Sequence, residues 1–229
     1  MDMLKELSNN NHLPSLFVFD IDYTLWPLWI DACPGPPFEA DPSKPYRVKD
    51  KYERLKSIHS VICFIILIKF VCHRYGNVIR LYPDVPKILR TVKNCPQTYI
   101  AVASRTQEPE WARKVLSIMP FPENEDEESI KLSVTNGSSS KVINYNTLAD
   151  VIDYSEIYPS SKVNHFSSLH AITGIPYDEM IFFDDEMRNK EVNYKLGVHF
   201  VYVPDGMTYE LFLSAIKEFV NKREHSFLS

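Results

Sequence analysis

An α/β fold, a parallel sheet flanked by helices, is what this sequence predicts, and three observations predict it. Short β-branched and aromatic runs alternate with helix-period stretches. The candidate strands are nearly continuous apolar runs, the pattern of strands buried on both faces. Polar residues able to do chemistry follow directly on those runs, where the carboxyl ends of open parallel sheets bind ligands. With 229 residues, 45% hydrophobic and 24% charged, the chain can bury one substantial core, which excludes disorder and a collagen-like structure.

In chain order the expected strands are Leu16 to Asp20, Tyr99 to Ala103, Met180 to Phe183 and Val198 to Val203. Helical periodicity covers Pro83 to Val92, Glu108 to Ile118, Ser161 to Thr173 and Glu186 to Leu196. Stop signals follow three of them: Pro120 after the second helix, Gly174 after the third and Gly197 after the fourth. Asp205, Gly206 and Thr208 open a last helix reaching to about Val220. Two stretches break the rhythm. One runs from the Pro-rich Cys33 to Pro45 through an apolar segment to Gly76, and the other, Glu123 to Asn146, is acidic and then rich in Ser, Asn and Gly. Loops of that length are uncommon in a compact domain. No repeat and no second core is present, so one domain is expected over 1–229, with an atypical apolar insert at 52–74 and a flexible acidic and polar loop at 123–146.

The net charge of −5 is local, because Glu123, Glu125, Asp126, Glu127 and Glu128 account for it. The basic footprint of a nucleic-acid binder is therefore missing. Cys33, Cys63, Cys72 and Cys95 make no CxxC pair and have no His at zinc spacing, and the opening MDMLKELSNN lacks the apolar core of a signal peptide. Reduced thiols in a cytoplasmic or nuclear protein are the expectation. The uninterrupted apolar run from Val61 to Ile68 is eight residues, far below the ~18 that a membrane span needs.

Asp20 and Asp22 in FVFDIDYTLW stand immediately after an apolar strand. Carboxylates two residues apart converge on one site only if the chain turns out of the strand there. Such a pair can hold a cation, divide the roles of nucleophile and proton donor, or merely cap a turn. Ser104 follows the second strand in AVASRT, Lys162 opens a helix in YPSSKVNHF, and Asp184 with Asp185 follow the strand MIFF. Each has a structural explanation of its own: a helix cap for Ser104, a solvated lysine, and an acidic pair favoured by a helix dipole. The βα order nonetheless gathers all of them at one edge of the sheet.

In that order, DIDYT with Asp20, Asp22 and Thr24, then Ser104, Lys162, and Asp184 with Asp185, resemble the four motifs of the haloacid dehalogenase-like (HAD) phosphohydrolases. FDIDYTLWPLWID, IRLYPDVP, ASRT, EIYPSSKVNHF and FFDDEMRN are similar more narrowly to the eukaryotic magnesium-dependent phosphatases of that superfamily. The resemblance implies a Rossmann-like HAD fold without a large cap domain, and a Mg²⁺-dependent phosphomonoesterase. It implies Asp20 as the nucleophile forming an aspartyl-phosphate, and Asp22 as acid and then base. Ser104 and Lys162 would hold the phosphoryl group, with Arg105 as an additional substrate contact. The metal set would be the Asp20 side chain, the Asp22 backbone carbonyl and a carboxylate of the last motif, with Asp185 favoured as direct ligand and Asp184 as the group orienting Lys162. Phosphotyrosine on protein and phosphorylated sugars, including sugar adducts on protein amines, are the substrate classes it implies. Met187 departs from the Asn of related sequences, with little consequence expected because Asn189 remains. A carbon–halogen hydrolase fits less well, since that chemistry has no alcohol for Asp22 to protonate. The alternative from another class is a non-catalytic phosphate-binding or phosphorylatable module. Receiver modules, however, carry the phosphorylated Asp after a later strand, where this chain has Ser104.

Trp26, Pro27, Trp29, Pro34, Pro36, Pro37 and Phe38 follow the acidic pair and read either as a packed loop or as an apolar lip beside the site. His165, His170 and His199 read as structural or surface residues, since none has a partner at metal spacing. The apolar insert has a separate reading. Deleting Tyr52 to Arg74 joins Lys51 to Tyr75 and gives VKDKYGNVIRLYP, a loop of family-like length. Codons for Lys51-Tyr52-Glu53 can contain a GTATGA donor and those for His73-Arg74 an AG acceptor. The ICFIILIKFVC before that acceptor is rich in residues whose codons carry T at the second position, as a pyrimidine tract would be. The segment thus reads as an unspliced intron translated in frame, against a genuine membrane-docking or partner-binding helix.

Overall fold

The computed structural model describes residues 13–40, 46–50, 78–121 and 145–227. Its strands in those residues are β1 (Leu16–Phe19), β2 (Glu39–Ala40), β3 (Arg47–Lys49), β4 (Val78–Arg80), β5 (Tyr99–Ser104), β6 (Tyr154–Ile157), β7 (Met180–Asp184) and β8 (His199–Tyr202). Five of them form one sheet in the order β6-β5-β1-β7-β8, every pairing parallel. β1 is central, with Phe19 in register with Val102 of β5 on one side and Phe183 of β7 on the other.

Because successive strand residues point to opposite faces, the apolar runs feed two cores. Leu16, Val18, Ala101, Ala103, Met180 and Phe182 pack with Phe166, Leu169 and Val192. Phe17, Phe19, Ile100, Val102, Ile181 and Phe183 join a larger cluster on the other face. Water reaches neither face, which is why these strands do not alternate apolar with polar.

The helices are α1 (Val85–Lys93), α2 (Pro109–Ile118), α3 (Leu148–Val151), α4 (Lys162–Thr173), α5 (Glu191–Leu196) and α6 (Tyr209–Phe227). α4 and α5 cover the smaller core through Phe166, Leu169 and Val192, while α1, α2, α3 and α6 supply the larger one. Ser161 caps α4 by accepting the Val163 N–H at 3.1 Å, and Gly174 ends it with φ 70°, a left-handed value that glycine adopts without strain. Ser161 thereby fixes where Lys162 starts.

Several elements differ from expectation. The helix expected over Glu186 to Leu196 is a 3-10 turn, Met187–Lys190, leading into α5. The last helix extends to Phe227 rather than stopping near Val220. β6 and α3 were not expected: YSEI is a four-residue edge strand, too short and too polar to announce itself. β2, β3 and β4 form a small antiparallel sheet that buries Val48 and Ile79 against the larger core.

Within the acidic and polar stretch 123–146 only Tyr145 and Asn146 are described, and its two ends meet where Phe121 N–H donates to Asn146 C=O at 3.0 Å. The insert 52–74 lies wholly outside the described residues. Its flanks bear on it, however. β3 and β4 pair antiparallel with Lys49 opposite Val78, so removing Tyr52 to Arg74 leaves Asp50, Lys51, Tyr75, Gly76 and Asn77 to join them. Five residues is an ordinary hairpin length. Deleting Tyr52 to Arg74 is therefore expected to keep the melting temperature within about 2 °C of the full chain, measured by circular dichroism on both forms. Loss of a packed helix would instead expose apolar surface worth ~25 cal/mol per Å². At roughly 2–4 °C per kcal/mol, a drop of many degrees would show the insert to be a structural element.

Candidate active site

Asp20 continues the line of β1, its N–H donating to the Phe183 carbonyl at 2.9 Å. The chain then turns. The Leu25 and Thr24 amides fold back onto the Ile21 carbonyl at 2.8 and 3.3 Å, and Tyr23 takes φ 53°, an uncommon left-handed conformation for a bulky residue. That turn gives the paired carboxylates a common site. Asp22 is held by its Oδ1, which accepts from Trp26 Nε1 at 2.7 Å and from the Ile30 N–H at 3.2 Å.

Lys162, the first residue of α4, is 1% exposed. Its Nζ lies 2.5 Å from Asp20 Oδ1 and 3.1 Å from Asp184 Oδ2, and also donates to the Ala103 carbonyl. Asp184, the last residue of β7, is wholly buried, and its carboxylate is saturated. Besides Lys162, it accepts from Glu186 N–H at 2.7 Å and from Asn189 Nδ2 at 2.9 Å to each oxygen. Asn189 Oδ1 in turn accepts from Arg105 Nη1 at 3.1 Å. Ser104, which ends β5, accepts the Thr106 N–H at 3.3 Å through Oγ and keeps its hydroxyl proton to donate elsewhere.

These groups line a cavity of about 500 Å³ at the carboxyl edge of the sheet. Asp20, Asp22, Ser104, Arg105, Lys162 and Asp185 all face it, while Asp184 stands behind them; Trp29, Asp31, Gln107, Ser160, Glu186 and Arg188 complete the lining. The aromatic and proline cluster divides. Trp26 is fully buried and Phe38 packs edge-on against Trp111, whereas Trp29 is 55% exposed at the mouth, its ring edge-on to Tyr23. The histidines are structural. His165 is buried, its ring against Tyr158 and its Nε2 donating to the Tyr158 carbonyl at 3.0 Å, so that it anchors the loop leading to Ser161. Burial, aided by the charge of Lys162, pushes it down to about 4. His170 pairs with the Ile175 carbonyl and His199 packs on Phe219.

The site carries more negative than positive charge. Burial raises Asp20 well above the usual carboxylate range, Lys162 pulling the other way and Asp184 and Asp22 adding to the rise. Asp22 is pushed up to about 7, mainly by burial, and Asp185 to about 6 by burial and the neighbouring Asp184. Burial also opposes the charge of Lys162, but Asp20 and Asp184 outweigh it and hold its pKa above the ordinary value. Buried carboxylates that repel one another, all of them hard oxygen donors, suit a divalent cation such as Mg²⁺. Among the described residues no three His, Cys, Asp or Glu side chains form a metal cage. Mg²⁺ needs none, since it keeps several waters and takes one or two carboxylates.

Over residues 12–222 the sequence matches the Acid Phosphatase family. It is 36% identical over 192 residues to a HAD-like hydrolase superfamily protein of Schizosaccharomyces pombe, covering 84% of this chain and 87% of that one. To Magnesium-dependent phosphatase 1 of Homo sapiens it is 33% identical over 207 residues, 90% of this chain and 88% of the relative. Among solved structures, the phosphatase-domain part of a Bacteroides fragilis protein complexed with Mg superposes with a TM-score of 0.49 at 12% identity, over 93% of this chain and 43% of that longer one.

Replacing Lys162 by Met keeps most of the apolar stem of the side chain but leaves Asp20 and Asp184 buried without their cation. In metal-free buffer at pH 8 the loss is expected to be about 3 kcal/mol by urea denaturation. It should shrink toward pH 5. Carboxyls whose folded-state pKa is raised bind protons in the folded form first, so stability returns as pH falls through that pKa. Equal stability of variant and wild type at pH 8 would show that the ion pair contributes nothing.

Proposed function

Because the chain belongs to the Acid Phosphatase family, we propose that it is a Mg²⁺-dependent phosphomonoesterase of HAD type that works through an aspartyl-phosphate on Asp20. What carries this proposal is the pairing of Asp20 Oδ1 with the buried Lys162 beside Asp22, Ser104 and Asp185 in one cavity.

Asp20, the Asp22 backbone carbonyl and Asp185 would hold the metal, with Asp184 behind them orienting Lys162; the saturation of the Asp184 carboxylate supports that division. When bound, the cation neutralises charge between the attacking carboxylate and the phosphoryl dianion. Lys162 engages Oδ1 of Asp20, which leaves Oδ2 to attack phosphorus. As that P–O bond forms, the bond to the leaving oxygen breaks. Asp22, neutral in a fraction of molecules at pH 7 because its pKa is about 7, gives its proton to the departing alkoxide. Ser104 and Lys162 donate to the phosphoryl oxygens, and Arg105, steadied by Asn189, reaches the same cavity. In the second half Asp22 takes a proton from water, the resulting hydroxide attacks phosphorus, and the bond to Asp20 breaks, releasing phosphate.

Protein phosphotyrosine and sugar phosphates, including phosphorylated sugar adducts on protein amines, are the proposed substrates. An open mouth bearing the exposed Trp29 ring beside the polar Asp31, Gln107 and Arg188 supports both. A screen of phosphopeptides, sugar phosphates and glycated phosphates, read as inorganic phosphate released, decides between them.

Asp20→Asn is expected to abolish hydrolysis of p-nitrophenyl phosphate while the protein still melts cooperatively, since an amide is a poor nucleophile. Retention of more than about a tenth of wild-type kcat, only ~1.4 kcal/mol of barrier, would overturn the nucleophile. Asp22→Ala is expected to lower kcat/KM far more for alkyl phosphates than for nitrophenyl phosphate, whose phenolate leaves without a proton. Equal losses for the two would remove Asp22 from the acid role.

A further inference from the structure

Asp22 is held asymmetrically. Among the described residues both hydrogen bonds to its carboxyl reach the same oxygen, Oδ1: Trp26 Nε1 at 2.7 Å and the Ile30 N–H at 3.2 Å. Trp26 stands four residues on, inside the turn that leaves β1, and is 0% exposed. A buried indole N–H needs an acceptor, and this one has Asp22. The ring is also locked in the larger core, so the donor cannot swing away.

The terminal torsion of an Asp side chain is broad and roughly two-fold. Without fixed partners the two oxygens would interchange and the carboxyl plane would rock. Two N–H groups aimed at Oδ1 stop both motions. They also exclude a proton from that oxygen, because an O–H there would face two other hydrogens. We propose that Trp26 is a positioning residue that pins Oδ1 of Asp22, making Oδ2 the oxygen that hands a proton to the leaving group and then takes one from water. This rests on the acid–base role given to Asp22 above. It also separates Trp26 from Trp29: the first serves the proton transfer from behind, and the second borders the substrate.

The test replaces Trp26, by site-specific incorporation, with benzothienylalanine, which keeps the shape of the side chain but has sulfur in place of N–H. Trp26→Phe is made alongside, although it also removes buried volume. kcat/KM is measured on an alkyl phosphate and on p-nitrophenyl phosphate at saturating Mg²⁺, for these variants, for Asp22→Ala and for wild type, with a melting curve for each. The isostere is expected to melt close to wild type and to lose about tenfold or more on the alkyl phosphate while losing little on the nitrophenyl ester, as loss of a hydrogen bond to a charged group would give. Independently of turnover, the Trp26 indole proton of ¹⁵N-labelled metal-free protein is expected to resist exchange in wild type and to exchange faster in Asp22→Ala. If the isostere treats both esters alike while Asp22→Ala separates them, the positioning role of Trp26 is wrong and the acid role of Asp22 stands. If Asp22→Ala also treats them alike, the acid role is wrong and the inference falls with it.

Discussion

Lys162 Nζ sits 2.5 Å from Asp20 Oδ1 and 3.1 Å from Asp184 Oδ2 and also donates to the Ala103 carbonyl, so one ammonium ties β1, β5 and β7 to the first turn of α4. Burying it costs several kcal/mol of desolvation, and two carboxylates and a carbonyl are what make that burial tolerable. Such a contact adds little net stability. It does set positions: the nucleophilic candidate, the strand beside it and the helix that carries the cation cannot shift independently. Asp184 is fixed further by Asn189 and the Glu186 amide, and Arg105 by Asn189. The positions of the Asp20 and Asp184 carboxylates therefore follow from where Lys162 is held.

Behind that contact lies a rigid platform. The central strand is covered on both faces, with Leu16 and Val18 in one core and Phe17 and Phe19 in the other, so the end of β1 has little freedom to move. The turn after it bends at Tyr23, φ 53°. Strain of this kind at the edge of a well-packed sheet is held by its surroundings, here by the Ile21 carbonyl, which accepts the Leu25 and Thr24 amides, and by the Trp26 indole on Asp22. Precision in the acidic pair thus comes from apolar packing on one side and buried donors on the other, Lys162 on Asp20 and Trp26 with the Ile30 amide on Asp22.

Much of this was legible in the residues. The unbroken apolar runs announced β1, β5 and β7, because burial on both faces leaves no polar position, while β8, an edge strand with two half-buried residues and one exposed, was announced by its aromatic and β-branched residues. Asp20, Ser104, Lys162 and the Asp184–Asp185 pair were legible because parallel topology puts every strand end on one edge. β6 was not, since YSEI is a short, largely polar run at the edge of the sheet. Nor was the small sheet of β2, β3 and β4, whose short strands gain their stability from Val48 and Ile79 packing on the larger core.

By itself the sequence determined the fold class, the order of the elements and which chemistry-bearing residues share an edge, because periodicity and strand ends are local properties of the chain. Tertiary structure alone decided the roles within that edge. Trp26 and Trp29 are equally aromatic in sequence, yet one is a buried donor to Asp22 and the other an exposed rim. Asp184 and Asp185 are adjacent and identical, yet one is consumed by Lys162, Glu186 and Asn189 while the other faces the cavity. Residue type sets what a side chain can donate or accept. Which partner it meets depends on residues far along the chain, 142 positions away for Lys162 and Asp20, and only the packed chain brings those together.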